Sequence, residues 1–356
     1  MLETLIDRFG EGAVLALTGL LVGTLFGAAA QHSRFCLRAA SVEVSERKFG
    51  PRLSIWLIAF CSGVAVVQGS IAAGWLDVSE SRQLASIGSM SGAIIGGLMF
   101  GCGMILARGC ASRLLVLSAT GNLRALVTGL VLTLVAQASL RGALAPARES
   151  VSSLWLVPGG DARDLLAILN LTSATAFFVT LIVLISGIVL ARRSQVQTSH
   201  TVAAAIVGGA VGLGWMLTYA ISQVSFEVVP ISSVTFTGPS TDTLMGLVNS
   251  TELALGFGVG LVPGVFIGAG FMALVTGEAK IERFERETPM ERYLIGAALM
   301  GFGSMTAGGC AVGAGMSGGA IFALTAWVAV FFMWIGAVAT QLVLTRKETG
   351  AAQAPV

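Results

Sequence analysis

Apolar residues fill long, uninterrupted blocks of this sequence, and short polar or charged segments separate the blocks. Many blocks run for about 18 residues or more without a charge, and a helix of that length crosses a hydrocarbon core roughly 30 Å thick. The pattern therefore predicts about nine membrane-spanning helices. We place them near residues 13–31, 54–74, 88–107, 125–140, 166–190, 202–220, 252–275, 293–309 and 321–343.

The composition agrees with this pattern. Of the 356 residues, 55% are hydrophobic and only 11% are charged, whereas a soluble domain carries roughly 25% charged residues. The 46 glycines favour close helix packing and permit helix breaks where a cavity is lined. We predict an all-α, polytopic membrane protein whose residues 1–356 form one transmembrane domain in the lipid bilayer. No basic domain indicates nucleic-acid binding, and no phosphate-binding loop motif indicates ATP coupling within the chain.

The distribution of charge predicts the orientation of the chain. Basic residues gather after spans one, five, seven and nine, and cytoplasmic loops carry an excess of Lys and Arg. These four ends lie on one side of the membrane, so we expect the N-terminus outside and the C-terminus in the cytoplasm. Arg141, Arg148 and Arg163 fall on the outer side, mixed with acidic residues, and agree less well.

Two segments of the sequence resemble each other at an offset of 200 residues. G-G-L-M-F-G-C-G-M-I-L-A-R-G-C ends at Cys110, and G-A-A-L-M-G-F-G-S-M-T-A-G-G-C ends at Cys310. Among the identities, Gly96, Gly101, Gly103, Gly109 and Cys110 fall on Gly296, Gly301, Gly303, Gly309 and Cys310. Self-similarity at a fixed offset indicates an internal structural repeat.

The repeat predicts how the spans are organised. A weaker match sets Gly23 and Gly27 of span one over Gly208 and Gly212 of span six. Repeat one then covers about 13–140 and repeat two about 202–343, with a linker helix near 166–190. Span three runs inward and span eight outward, so the two repeats have inverted topology. Inverted repeats with broken helices at the centre are a common transporter plan.

Both repeat copies have the form G-x-G-x(5)-G-C, and we interpret each as a helix break that presents a thiol. A glycine before the cysteine lets the backbone leave the helix. Such breaks occur at membrane depth only inside protein or along a wet cavity. The alternative is a glycine-packed helix crossing with an incidental cysteine. No zinc-site spacing is present, and His32 and His200 are far apart in sequence, so we predict no metal and no cofactor.

A thiol in a membrane cavity suits passage of a soft anion. A thiolate in an apolar site is costly and would repel an anion, whereas a neutral S–H is a weak donor on a polarizable sulfur. Transport requires such weak contacts, because the site must also release its substrate. Basic side chains near these thiols attract anions at the inner mouth or only set the topology; they are Arg34, Arg38, Arg108 and Arg113.

The set formed by S-R-F-C-L at 33–37, the two G-x-G-x(5)-G-C copies and F-T-G-P at 236–239 resembles the YeeE/YedE family of sulfur transporters, of which the thiosulfate importer is the best-known type. The resemblance covers about 15–345. It implies import of thiosulfate along a central pathway in which Cys36, Cys110 and Cys310 pass the anion by weak S–H···S contacts. It also implies a bacterial inner-membrane location and a small cytoplasmic sulfur-carrier protein as partner.

Three other interpretations stay open at this stage. The chain is a permease for another small sulfur or selenium species, a membrane-embedded thiol enzyme that relays sulfane sulfur, or an accessory membrane subunit. An enzyme requires a thiol activated by a neighbouring base, and neither histidine is next to a repeat cysteine. We therefore predict no catalytic residue, and we interpret Cys61 and Cys102 as packing residues.

Overall fold

A computed structural model describes residues 2–249, 253–283 and 290–352 of the chain. This described part contains nine helical segments that are long and apolar enough to cross a membrane, which confirms the predicted polytopic all-α class. Six continuous helices and the first halves of three broken spans are α2 (Glu11–Ser33), α4 (Pro51–Ala72), α6 (Met90–Leu106), α8 (Leu123–Arg141), α11 (Ser173–Arg193), α12 (Thr198–Ser222), α14 (Phe257–Val275), α15 (Met290–Thr306) and α16 (Leu324–Ala352).

Four shorter helical segments start inside the protein. They are α3 (Leu37–Ser45), α7 (Ala111–Ala119), α13 (Thr237–Asn249) and a π-helical segment (Ala311–Gly318). The peripheral elements are α1 (Leu2–Phe9), α5 (Arg82–Ala85), α9 (Ala145–Ser152), α10 (Leu165–Ile168), a 3-10 turn (Gly160–Arg163) and two paired strands, β1 (Gly88–Ser89) and β2 (Leu156–Val157). Three of the short segments follow α2, α6 and α15 directly, so those spans are broken.

Helices α6 and α15 cross through glycines in a reciprocal way. A β-carbon added at Gly96 would come 2.5 Å from the carbonyl oxygen of Gly303, and one added at Gly303 would come 2.7 Å from that of Gly96. Gly103 and Gly296 oppose each other in the same manner, at 2.5 and 2.7 Å. The helices are therefore antiparallel, and the repeat equivalents of two residues that contact each other are also in contact. That reciprocity is the signature of a two-fold relation between surfaces.

The packing of other long helices follows the same repeat relation. Helix α2 packs along α14, while α4 packs along α12, and α6 contacts α16 as α15 contacts α8. Gly23 lies against Leu261 and Val265 of α14, whereas Gly208 lies against Ala59 and neighbouring residues of α4. The sequence match of Gly23 with Gly208 thus joins positions with equivalent packing. We keep the two-repeat division at about 13–140 and 202–343 as our interpretation of this pattern.

Several predicted boundaries differ from the structure. The fifth span begins at Ser173 rather than near residue 166, because residues Leu165–Ile168 form a separate short helix. Asp164 caps that short helix through the N–H of Leu166, and Asn170 (φ 53°) ends it in the left-handed conformation. The seventh span begins at Phe257 rather than near 252.

Two parts of the chain between predicted spans are also informative. Helix α13 lies between the sixth and seventh predicted spans. Residues 284–289, between the seventh and eighth predicted spans, lie outside the described part of the chain. Arg163, predicted in an outer loop, is buried, and its guanidinium donates to the Ser86 carbonyl at 2.5 Å and to the Thr325 hydroxyl at 2.7 Å.

Candidate functional site

Each of the three predicted cysteines is the N-cap residue of a short internal helix. Cys36 precedes α3, Cys110 precedes α7, and Cys310 precedes the π-helical segment. All three have extended backbone conformations, as N-cap residues normally do. The thiols therefore lie where the free N–H groups of a helix concentrate positive potential, which favours a nearby anion.

A fourth short helix completes the set without a cysteine. Helix α13 begins after Phe236, whose carbonyl accepts the first helical hydrogen bond from Ser240. Phe236 stands at an offset of 200 from Cys36, just as Cys310 does from Cys110. Its buried ring lies 5.2 Å from that of Phe26, centroid to centroid. The residues that precede the four short internal helices are therefore three cysteines and one phenylalanine.

The helix breaks arise one residue earlier than the sequence predicted. The left-handed residues are Arg108 (φ 56°) and Gly308 (φ 81°), and Arg34 (φ 54°) has the same conformation before Cys36. The glycines next to the cysteines are not left-handed. A β-carbon at Gly309 would instead come 2.8 Å from the backbone nitrogen of Ala314. That glycine lets the next helical turn close tightly, and the helix resumes immediately after the cysteine.

The Cys36 and Cys110 side chains lie close enough to influence each other electrostatically. The Cys110 sulfur also lies 3.3 Å from the Ser112 hydroxyl. Cys110 is fully buried, while Cys36 is half-buried. These two residues come from different spans, so the fold forms a thiol pair that their separation in sequence does not reveal.

Cys310 belongs to the other repeat and has a different partner. It is buried, and its sulfur accepts a hydrogen bond from the N–H of Gly313 at 3.4 Å. Because the sulfur acts as an acceptor there, its S–H proton is available for another group. Helix α7 contacts the π-helical segment, and Cys110 and Cys310 belong to one buried core cluster. The elements that follow the two G-C breaks are therefore in contact, and the meeting of Cys110 and Cys310 near the membrane midplane stays a prediction.

The four predicted arginines surround the Cys36–Cys110 end of the site. Arg113 lies within electrostatic range of both thiols and donates from Nη1 to Gln31 Oε1 at 3.3 Å. Arg38 is half-buried beside Cys36, and its Nε has no hydrogen-bond partner. Arg108 is exposed. Arg34 is half-exposed and is held in an ion pair.

Sequence reasoning missed the acidic partner of these arginines. Glu278 Oε1 accepts from Arg34 Nη2 at 2.7 Å, and its Oε2 accepts from Gln31 Nε2 at 2.8 Å. The bond from Arg34 holds the pKa of the Glu278 carboxyl below its usual value. Glu278 follows span seven in a segment that was noted only for its basic residues. Gln31 stands just before the S-R-F-C-L segment at 33–37, but its partner is distant in sequence.

The other two cysteines lie elsewhere. Cys61 lines an apolar crevice of about 410 Å³ between α4, α11 and α16, together with aromatic side chains including Trp56 and Trp334. Cys102 is half-buried, and its sulfur lies 3.6 Å from the Gly336 carbonyl. The His32 and His200 rings, distant in sequence, lie 5.0 Å apart. Within the described residues, no three His, Cys, Asp or Glu side chains cluster as metal ligands.

Comparison with known proteins gives consistent matches over nearly the whole chain. The model of a family described as "Sulphur transport" matches residues 32–339. A protein of Spirochaeta thermophila named thiosulfate transporter TsuA is 26% identical over 332 residues, covering 90% of this chain and 96% of the relative. An Escherichia coli protein of the same name is 26% identical over 361 residues, covering 95% and 97%.

Proposed function

Since the chain belongs to the sulphur transport family, we propose that it imports thiosulfate through the membrane. Both relatives described above are named thiosulfate transporters and align over nearly the full length of both chains. The observation that carries the proposal is the placement of three cysteines at the starts of three internal helices. Only thiols in such a position combine a soft, weak donor with the positive end of a helix.

The proposed path leads from one thiol to the next. The terminal sulfur of thiosulfate accepts a weak S–H···S contact from one cysteine and then from another. Cys36 and Cys110 lie close together, and Cys310 lies across the contact between α7 and the π-helical segment. Each contact is weak, so the anion leaves each thiol easily. The helix N-termini compensate part of its charge without adding a tightly bound cation.

A thiol enzyme and a permease for a different anion are the two alternative functions. A thiol enzyme has less support, because the relatives are named transporters. A permease for another small sulfur or selenium anion would use the same thiols, so the substrate within this class is the finer part of the proposal. We also propose the orientation with the N-terminus outside in a bacterial inner membrane, and delivery to a small cytoplasmic sulfur-carrier protein.

Uptake of sulfur-labelled thiosulfate into cells that lack every other importer tests the function. We expect cells that express this chain to accumulate label far above cells with an empty vector. Unlabelled thiosulfate should abolish accumulation, whereas sulfate, which lacks the terminal sulfur, should compete weakly. Equal accumulation with and without the chain, at verified membrane expression, would contradict the proposal. Stronger competition by another sulfur or selenium anion than by thiosulfate would reassign the substrate.

A further inference from the structure

Four side chains close the basic end of the Cys36–Cys110 pair. We call Gln31, Arg34, Arg113 and Glu278 the clasp. The Glu278 carboxylate accepts one bond on each oxygen, from Arg34 at 2.7 Å and from Gln31 at 2.8 Å. The other end of the Gln31 amide accepts from Arg113 at 3.3 Å. The clasp thus joins α2, α7 and the turn after α14.

The buried amide of Gln31 links the Arg113 guanidinium to the Glu278 carboxylate. Gln31 is only 4% exposed, and its N–H₂ end faces Glu278 while its oxygen faces Arg113. A carboxylate can only accept and a guanidinium can only donate, so the two neighbours fix the direction of the amide. The charge of Glu278 therefore orients the group that contacts Arg113, and Arg113 lies within electrostatic range of both thiols.

The carboxylate of Glu278 occupies the kind of site that an oxyanion requires. Two oxygens of one planar group meet a guanidinium N–H and an amide N–H, which is how proteins bind the oxygens of small anions. A cationic side chain and two thiols lie beyond it. From this arrangement we infer that the clasp is an oxyanion subsite that the protein's own Glu278 occupies, and that the sulfonate oxygens of thiosulfate displace Glu278 from it. The inference rests on the proposed function.

A carboxylate of the protein that competes with the substrate for the same site would assist transport. Without Glu278, Arg34, Gln31 and Arg113 would hold a dianion and slow its release. With Glu278, the departing anion is replaced by a carboxylate already at hand. The Arg34 and Glu278 side chains are 49% and 36% exposed, and exposed ion pairs are weak and screened by salt. A doubly charged anion can therefore displace Glu278.

Glu278→Gln tests the inference through the kinetics of thiosulfate uptake. Loss of the competing charge should lower the KM by about two- to fivefold, the range that an exposed ion pair supports, and should strengthen inhibition by sulfate. The matched control is Glu46→Gln, because Glu46 also forms an exposed ion pair, with Lys48 at 3.0 Å, and is not part of the clasp. Its KM should stay at the wild-type value.

Gln31→Glu supplies the opposite change, since it places a permanent negative charge beside Arg113 and should raise the KM. Thiosulfate should also raise the melting temperature of purified Glu278→Gln protein more than that of wild type, because the anion fills the vacated position. An unchanged or raised KM in Glu278→Gln, with active wild type, would overturn the clasp and leave the proposed function intact. Wild type without thiosulfate uptake would overturn the proposed function itself.

Discussion

At the scale of single residues, the two positions before each repeat cysteine differ in what they require. Residues 108 and 308 take the left-handed conformation, which Arg108 tolerates and Gly308 takes without strain. Residue 309 must lack a side chain, because a β-carbon there would come 2.8 Å from the backbone nitrogen of Ala314, whereas a β-carbon at Gly109 would meet only side chains, the nearest atom at 3.4 Å. The G-C motif predicted a break here, but sequence alone does not separate a steric need for glycine from a conformational one.

This distinction predicts different effects at adjacent glycines. Gly309→Ala should displace the π-helical segment and with it Cys310, because its β-carbon would meet backbone only 2.8 Å away. We expect severe loss of thiosulfate uptake. Gly308→Asn should keep most uptake, since asparagine tolerates the left-handed region and a β-carbon at Gly308 meets nothing within 4 Å. Uptake at matched membrane expression decides, and greater loss in Gly308→Asn would contradict this assignment.

The residue scale also shows what sequence could not provide. The three cysteines and the neighbouring arginines were identified from motifs that recur or resemble a family. The pairing of Cys36 with Cys110 and the bond of Gln31 to Glu278 join residues on different helices. Glu278 is separated from Gln31 by 247 positions, and no periodicity in the sequence encodes such a contact. These pairs follow from helix packing and become visible only with the fold.

At the scale of elements, glycine determines how closely the helices approach. Backbone contact between α4 and α12 occurs at Gly63 and Gly208, and small residues of this kind drive helix association in membranes. The hydrophobic blocks were sufficient to predict the nine spans. The start of the fifth span was wrong because α10 and the helix that follows share one apolar block, and the turn at Asn170 carries no strong sequence signal.

Adjacent glycines in α12 test this packing directly. Gly208→Ala should destabilise the protein, because the added β-carbon would lie 2.5 Å from the backbone nitrogen of Gly63 and still closer to the Ala59 carbonyl. Gly209→Ala is the matched control, since a β-carbon there meets nothing within 4 Å. It should be neutral or stabilise the helix by up to about 1 kcal/mol.

Thermal unfolding of the two variants in the same detergent provides the measurement. We expect a clear fall in melting temperature for Gly208→Ala only. Equal melting temperatures would mean that α4 and α12 do not pack through Gly208.

At the scale of the whole molecule, we interpret the site as organised by the inverted repeat. The 200-residue offset predicted that α6 and α15 are equivalent, and their reciprocal glycine contacts agree. The same offset aligns Cys36 with Phe236, but the side chains differ and the helix after Phe236 lies in a polar segment. The sequence comparison therefore did not match α3 with α13, although F-T-G-P at 236–239 is part of the family resemblance.

The repeat and the charge distribution together predict orientation. Odd-numbered spans cross in one direction, and the basic ends of spans one, five, seven and nine should lie in the cytoplasm. A fusion after Arg346, at the end of the ninth span, should be active with a reporter that functions in the cytoplasm and inactive with one that functions in the periplasm. Activity of the periplasmic reporter alone would contradict the predicted orientation. It would place Arg34 and Glu278 at the outer mouth.

The central claim is that neutral thiols at the internal helix starts carry the anion, and uptake by paired cysteine variants tests it most directly. Cys110→Ala with Cys310→Ala removes one thiol from each repeat, and Cys61→Ala with Cys102→Ala is the matched control. Each lost contact leaves part of a buried anion unmatched at a cost of roughly 1–3 kcal/mol, and each 1.4 kcal/mol slows transit about tenfold. At equal membrane expression, we predict that the first pair loses thiosulfate uptake while the second keeps it. Wild-type uptake by the Cys110→Ala, Cys310→Ala variant would contradict the account.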